Sequence, residues 1–141
     1  MTGMIRAIRY LWALPTTAVG LLIAVLAIAH GGRAQHHSGV LEVYGGFATW
    51  FLRHMTLLPD GAAAITFGHV VLGRDRCCLD RTRVHERVHV RQVERWGPFF
   101  LPAYLIASLV AKLRGGNAYR DNAFEREAYA VSERGASACG K

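Results

Sequence analysis

The sequence predicts an α+β fold: an N-terminal transmembrane helix, then a small domain with a short antiparallel sheet and three helices at its C-terminal end. Three observations carry this. Residues 11–30 read "LWALPTTAVGLLIAVLAIAH", with no formal charge. Short β-branched and aromatic segments, "VLEVYGG" and "AITFGHVVLG", are bounded by glycine, as strands are. From residue 82 onward the apolar residues recur with the period of a helix.

About 20 apolar residues cross a bilayer as a helix, so residues 1–34 read as a membrane anchor and linker. Arg6 and Arg9 before the apolar run, and "AIA" at 27–29, also fit a signal peptide; the length of the run favours an anchor. Pro15 falls near its start, where a helix tolerates proline. "GGRAQHHSG" (31–39) has the glycines and polar residues of a linker. Within a domain over 35–134, "VLEVYGG" and "FATWFL" read as strands, "LPDGAA" (58–63) as a turn, and "AITFGHVVLG" (64–73) as one further strand. "RDRCCLD" connects it to a helix over 82–96, capped by Asp80 or Thr82.

At about 100° per residue, His85, His89, Gln92 and Trp96 fall together on one face of that helix. Val88 and Val93 flank them, while Arg87, Arg91, Glu94 and Arg95 gather opposite. Gly97 and Pro98 end the helix. The next stretch, 98–111, is apolar, but the uncharged run from Trp96 to Ala111 is short for a span. "RGGN" (114–117) is a turn, residues 119–134 form a last helix, and 135–141 a flexible tail.

The chain has 141 residues, 52% hydrophobic and only 19% charged, with a formal charge of +7. One modest core is within reach, and the basic excess suits an anionic partner, phospholipid or nucleic acid. Arg87, Arg91 and Arg95 repeat every fourth residue, where like charges repel unless something anionic meets them; lipid headgroups would do so. Cys77, Cys78 and Cys139 are odd in number and form no C-x-x-C pair, so neither a disulfide framework nor a cysteine zinc site is expected.

The chemistry resides in "HERVH", residues 85–89, an H-E-x-x-H pattern. One helical turn sets both imidazoles on one face, where each can give a nitrogen to one Zn²⁺. Glu86 lies beside them, placed to act as general base toward water activated at the metal. Two inward imidazoles each need a partner, and one metal answers both needs.

A hydrolytic zinc takes three protein ligands and an open position. The metzincin pattern is excluded, because Arg95 stands where its third histidine would be. A carboxylate from the last helix remains, and "NAFEREAY" (122–129) offers Glu125 or Glu127, which cannot both face the metal. Asn122 and Tyr129 flank Glu125 at i−3 and i+4 and can hold it. Oxyanion stabilisers are sought in His69, Tyr104, Tyr119 and Tyr129.

With "HERVH" on one helix and a glutamate on a later one, the chain resembles the gluzincin-type zincin metallopeptidases. "EREAY" (125–129) is similar to the E-x-x-A-D signature of membrane zinc endopeptidases of the CAAX-prenyl-protease and HtpX kind, with Tyr129 in place of the aspartate. The resemblance covers roughly residues 64–131. It implies a zincin-like domain, Glu125 as third zinc ligand, and an edge strand at 64–73 that pairs with substrate.

If His89 and Glu125 share one metal, residues 98–111 between them cannot be a single span; they form a core, interfacial or re-entrant helix. The expected protein is a membrane-anchored zinc metallopeptidase that acts on peptides. The rival functions are a non-proteolytic zinc-binding membrane scaffold and a basic nucleic-acid-binding module. No aromatic–basic interleaving supports the last, and no nucleic acid is expected.

Overall fold

A computed structural model describes residues 2–56 and 58–139, with side chains through residue 134. The chain is mixed α+β, as expected, and its order is α1 (Thr2–Ala29), β1 (Arg33–His37), β2 (Val40–Tyr44), α2 (Phe47–His54), β3 (Ala64–Phe67), β4 (Val70–Gly73), α3 (Arg76–Trp96), a 3-10 turn (Gly97–Phe99), α4 (Phe100–Leu113) and α5 (Ala123–Cys139). The sheet order is β1-β2-β4-β3.

The sheet is mixed, which corrects the antiparallel expectation. β1/β2 and β3/β4 are antiparallel hairpins, and the central pair β2/β4 is parallel, with Leu41 opposite Val70. Parallel neighbours need a crossover, and α2 supplies part of it. "FATWFL" is therefore a helix, not a strand. Gly45 and Gly46 take φ of +79° and +54°, ending β2, and Ala48 and Leu52 then bury one turn apart. Aromatic side chains favour strands only where a pleated surface receives them; here Phe47 and Phe51 pack on the core from a helix.

Two further segments are hairpins. The expected linker 31–39 forms β1 and a Ser38–Gly39 turn in which both residues have positive φ, the two-residue turn that matches strand twist. Its polar residues on both faces, mostly exposed, gave no alternation to read. "AITFGHVVLG" is two strands folded about Gly68, at φ +63°; of the two, β3 lies at a sheet edge and β4 is central.

Helix α3 begins six residues before the expected start. Asp75 caps it, its Oδ1 accepting the Cys78 N–H at 2.8 Å, so Cys77 and Cys78 lie on its first turn as free thiols. Gly97, at φ +57°, ends it. The last helix begins at Ala123 and continues through Cys139 into the stretch expected as tail; Gly140 and Lys141 lie outside the described residues.

Helix α1 is not a stalk. Ala13, Thr16, Gly20, Ala24 and Ala27 form a buried small-residue stripe along it, packed on the 3-10 turn, the β3–β4 hairpin and α2. Thr17 accepts the His69 N–H at 3.2 Å. Its other side is apolar and open: Leu11 is 72% exposed and Leu22 66%. α4 is similar, burying Phe100, Ser108 and Ala111 while Leu105, Ile106, Leu109 and Leu113 face outward. Residues 98–111 thus turn one face to the core, with Leu101 and Tyr104 packed beside Phe100, and leave the other face open. By length and composition two helical stretches can cross a membrane, Thr2–Ala29 and Arg76–Leu113. The 3-10 turn breaks the second, and the 14 residues of α4 reach only about 21 Å against a hydrocarbon core of about 30 Å.

One buried ion cluster ties sheet to helix. Glu42 on β2 is 2% exposed. It accepts from Arg83 Nε at 2.9 Å, from the second Arg83 nitrogen at 3.0 Å and from Gln35 at 2.7 Å. Burial alone would raise its pKa, but the Arg83 and Gln35 bonds outweigh it and hold the carboxyl below its ordinary value. A lowered folded-state pKa stabilises the fold above the ordinary carboxyl range, and the contribution is lost as pH falls through the folded value. Glu42→Gln is therefore expected to cost about 1–3 kcal/mol near neutral pH. Urea denaturation should show the wild-type advantage shrinking below about pH 4.5. A pH-independent difference would rule out this ion-pair origin.

Candidate metal centre

Three elements, α5, β3 and α4, meet at the H-E-x-x-H helix α3. α3 carries His85, Glu86 and His89 on its buried side, because apolar Val88, Val90 and Val93 turn the same arc inward. α5 crosses it and brings Glu125, which is 3% exposed. β3 runs alongside with Thr66, and α4 adds Tyr104.

The ligand atoms converge. His85 Nε2 is 3.0 Å from Glu125 Oε2 and 3.2 Å from His89 Nε2, and His89 Nε2 is 3.3 Å from Glu125 Oε1. These three residues are close enough together to hold a metal ion. Two ring nitrogens facing each other at 3.2 Å cannot both present lone pairs without a positive charge between them. A proton or a metal ion fills that need.

Supporting contacts set the tautomer of His89. The Gln92 amide NH₂ donates to Glu127 Oε2 at 2.7 Å and to the Phe124 carbonyl at 3.0 Å. Its oxygen must then face His89 Nδ1, 2.8 Å away, so Nδ1 carries the hydrogen. Nε2, facing Glu125, is left as the ligand nitrogen, an arrangement usual behind a metal-binding imidazole. Tyr104 O–H donates to Glu125 Oε1 at 2.7 Å and fixes the carboxylate. Thr66 O–H donates to Glu86 Oε2 at 2.7 Å.

The electrostatics follow the same pattern. Burial works to raise the Glu125 carboxyl, but bonds from His85 and His89 hold it at about 2. Burial works to lower His89, yet the bond to Glu125 and the charge of Glu86 push it up to about 9. Glu86 is driven upward by burial despite the neighbouring imidazoles. Burial and the Glu125 charge also raise Tyr104 and Tyr119, keeping both phenols protonated.

A cavity of about 180 Å³ opens beside the cluster, lined by Ile65, Thr66 and Phe67 of β3, and by Glu86, His89 and Tyr104. Its walls are otherwise largely apolar, with Leu101 and Leu105 of α4 among them.

His85, Glu86, His89 and Glu125 are thus brought together. Glu127 lies outside the converging group, its Oε2 accepting Gln92's amide hydrogen at 2.7 Å. Asn122 does not touch Glu125: its Oδ1 accepts the Phe124 N–H, and its amide donates to Tyr104 O and Ser108 Oγ, capping α5 and tying it to α4. Tyr129 sets its ring against His85, 4.6 Å between centroids and tilted by 59°. Of the oxyanion candidates, Tyr119 lines the cavity, Tyr104 is committed to Glu125, and His69 is elsewhere. The turn at Gly68 swings His69 toward α1, where it stacks on Tyr10 and bonds Glu94. Sequence reasoning missed Thr66, because a threonine in a short strand carries no signal until the facing helix is known. In the outer stripe, Arg91 and Arg95 are exposed, but Arg87 turns back to Glu42 and to the carbonyls of His37 and Ser38.

Searches of this chain against protein-family models, curated proteins and solved structures give no match.

Proposed function

We propose that the protein is a membrane-associated zinc metallopeptidase, with His85, His89 and Glu125 holding Zn²⁺ and Glu86 as general base. The observation that carries this is the convergence of two Nε2 atoms and a carboxylate beside a second, separately held carboxylate, all bordering an edge strand. Zinc distances of about 2.0–2.1 Å set tetrahedral ligand atoms about 3.3 Å apart. The separations of 3.0, 3.2 and 3.3 Å support that ion. Two imidazoles and a carboxylate also leave the open position of a hydrolytic site.

Zinc bound there supplies Lewis acidity toward an oxygen ligand. The chain's own residues do the rest. The edge strand β3 offers unpaired backbone groups to an extended peptide. The apolar cavity beside it takes a hydrophobic side chain and excludes water. Thr66 occupies Glu86 Oε2, leaving Oε1 to accept a proton from the attacking water and return it to the leaving amine. Gln92 and Glu127 hold His89 in its ligand tautomer, and Tyr104 holds Glu125. The outward apolar faces of α1 and α4 support membrane association.

Elemental analysis of purified protein is expected to give one zinc per chain. His89→Ala and Glu125→Gln should lose it, whereas Glu127→Gln should keep the ion with affinity reduced by about 10–100-fold. A full zinc content in Glu125→Gln would sink the three-ligand site.

A further inference from the structure

A second cavity, unrelated to the metal centre, lies where the N-terminal turns of α1 meet the outer face of α3 and the two hairpin turns. Four arginines line it, Arg6 and Arg9 from α1 and Arg87 and Arg91 from α3, against a single carboxylate, Glu94. Arg9 approaches Glu94 at 3.6 Å, and Arg87 is held by carbonyls of the β1–β2 turn. Arg91 bonds only its own helix backbone, and Arg6 has no ion pair among the described residues. The cavity therefore has guanidinium groups to spare.

A second observation is independent of that charge. His69 also lines this cavity and is 5% exposed. Its Nε2 pairs with Glu94 at 3.0 Å, and its ring stacks on Tyr10 at 3.9 Å between centroids. Its Nδ1 is the one buried side-chain polar atom among the described residues without a hydrogen-bond partner. Buried polar atoms in native folds are almost always satisfied; because Nε2 donates to the Glu94 carboxylate, this nitrogen is an acceptor and points to a missing hydroxyl donor.

We propose that this cavity binds a phosphate group, such as that of a phospholipid headgroup, between Arg6 and Arg91, with a hydroxyl of the same ligand donating to His69 Nδ1. Guanidinium forks match phosphate oxygens, and a phosphate relieves the repulsion between arginines one turn apart. Ile5 borders the cavity, and Met4, Ile8 and Leu11 continue along α1, from 59% to 72% exposed. A phosphate seated here would have its acyl chains against that apolar strip. Free phosphate offers the same oxygens without the chains.

The test is calorimetric titration of the full chain in non-ionic detergent, with dihexanoyl phosphatidylglycerol and, separately, with inorganic phosphate. Arg6→Gln/Arg91→Gln is expected to weaken lipid binding by about 10–100-fold. Among the described residues Arg6 makes no ion pair and Arg91 bonds only its own helix, so the variant should fold. Arg120→Gln/Arg126→Gln removes equal charge elsewhere and should leave binding unchanged. Binding of the lipid alone, with this pattern, supports a headgroup as the source; binding of inorganic phosphate with the same pattern supports the site with a free anion. Absence of both, or an equal loss in the control variant, overturns the proposal.

Discussion

Glu86→Gln is expected to keep its zinc and lower peptide cleavage by about 10²–10⁴-fold, the usual contribution of a general base. The metal should stay because none of the three converging ligand atoms belongs to Glu86. The fold should stay because the glutamine oxygen can still accept the Thr66 hydroxyl, 2.7 Å from Oε2 in the wild type. Burial opposes the Glu86 charge, so a neutral isostere does not weaken the folded state. Thermal melting and zinc content should therefore match wild type, while turnover of a casein or quenched-fluorescent peptide substrate collapses. Undiminished turnover in this variant would remove Glu86 from the chemistry. A wild type that binds zinc but cleaves nothing, with Glu86→Gln fully functional in the cell, would favour the metal-binding scaffold.

The candidate metal centre was legible because it rests on one helix. A spacing of four residues places His85 and His89 on one face whatever surrounds them, and the valines around them decide that the face is inward. The face of the last helix narrowed the carboxylate to Glu125 or Glu127, but the neighbours expected to hold Glu125 do otherwise: Asn122 bonds Tyr104 O, Ser108 and the Phe124 N–H, and Tyr129 meets His85. What each rejected residue does instead was not legible. Glu127 holds Gln92, and that requires knowing how α5 crosses α3. The sheet was harder. Polar β1 has no alternation, and "FATWFL" has the composition of a strand yet places Phe47, Ala48, Phe51 and Leu52 at helical spacing. Its fate was settled by the glycine pair before it. The antiparallel expectation failed for the same reason, since making α2 a helix turned its connection into a crossover.

Gly20→Leu is expected to destabilise the whole domain by about 2–4 kcal/mol, although residue 20 lies inside what reads as a membrane anchor. A Cβ at Gly20 would sit 2.7 Å from Phe67 Cβ, 2.9 Å from Val70 Cβ and 3.0 Å from the Phe67 carbonyl oxygen. None of these is the far end of a flexible side chain, so α1 or the β3–β4 hairpin has to move. The hairpin is held from the other side: Val70 is in register with Leu41 of β2, and Phe67 packs against Phe51. The displacement therefore falls on α1 or is passed along β3 to Thr66, one residue from Phe67 and bonded to Glu86. An isolated lipid-facing helix behaves in the opposite way, where leucine in place of glycine raises helix propensity and fits the lipid. Leu22→Ala is the matched control, since Leu22 is 66% exposed and on the open side. Melting in detergent micelles should show Gly20→Leu well below both wild type and Leu22→Ala, with reduced zinc content near the midpoint. Equal melting of the two variants would return α1 to the role of a simple anchor. The expected difference instead makes α1 the helix that braces the edge strand of the candidate metal site.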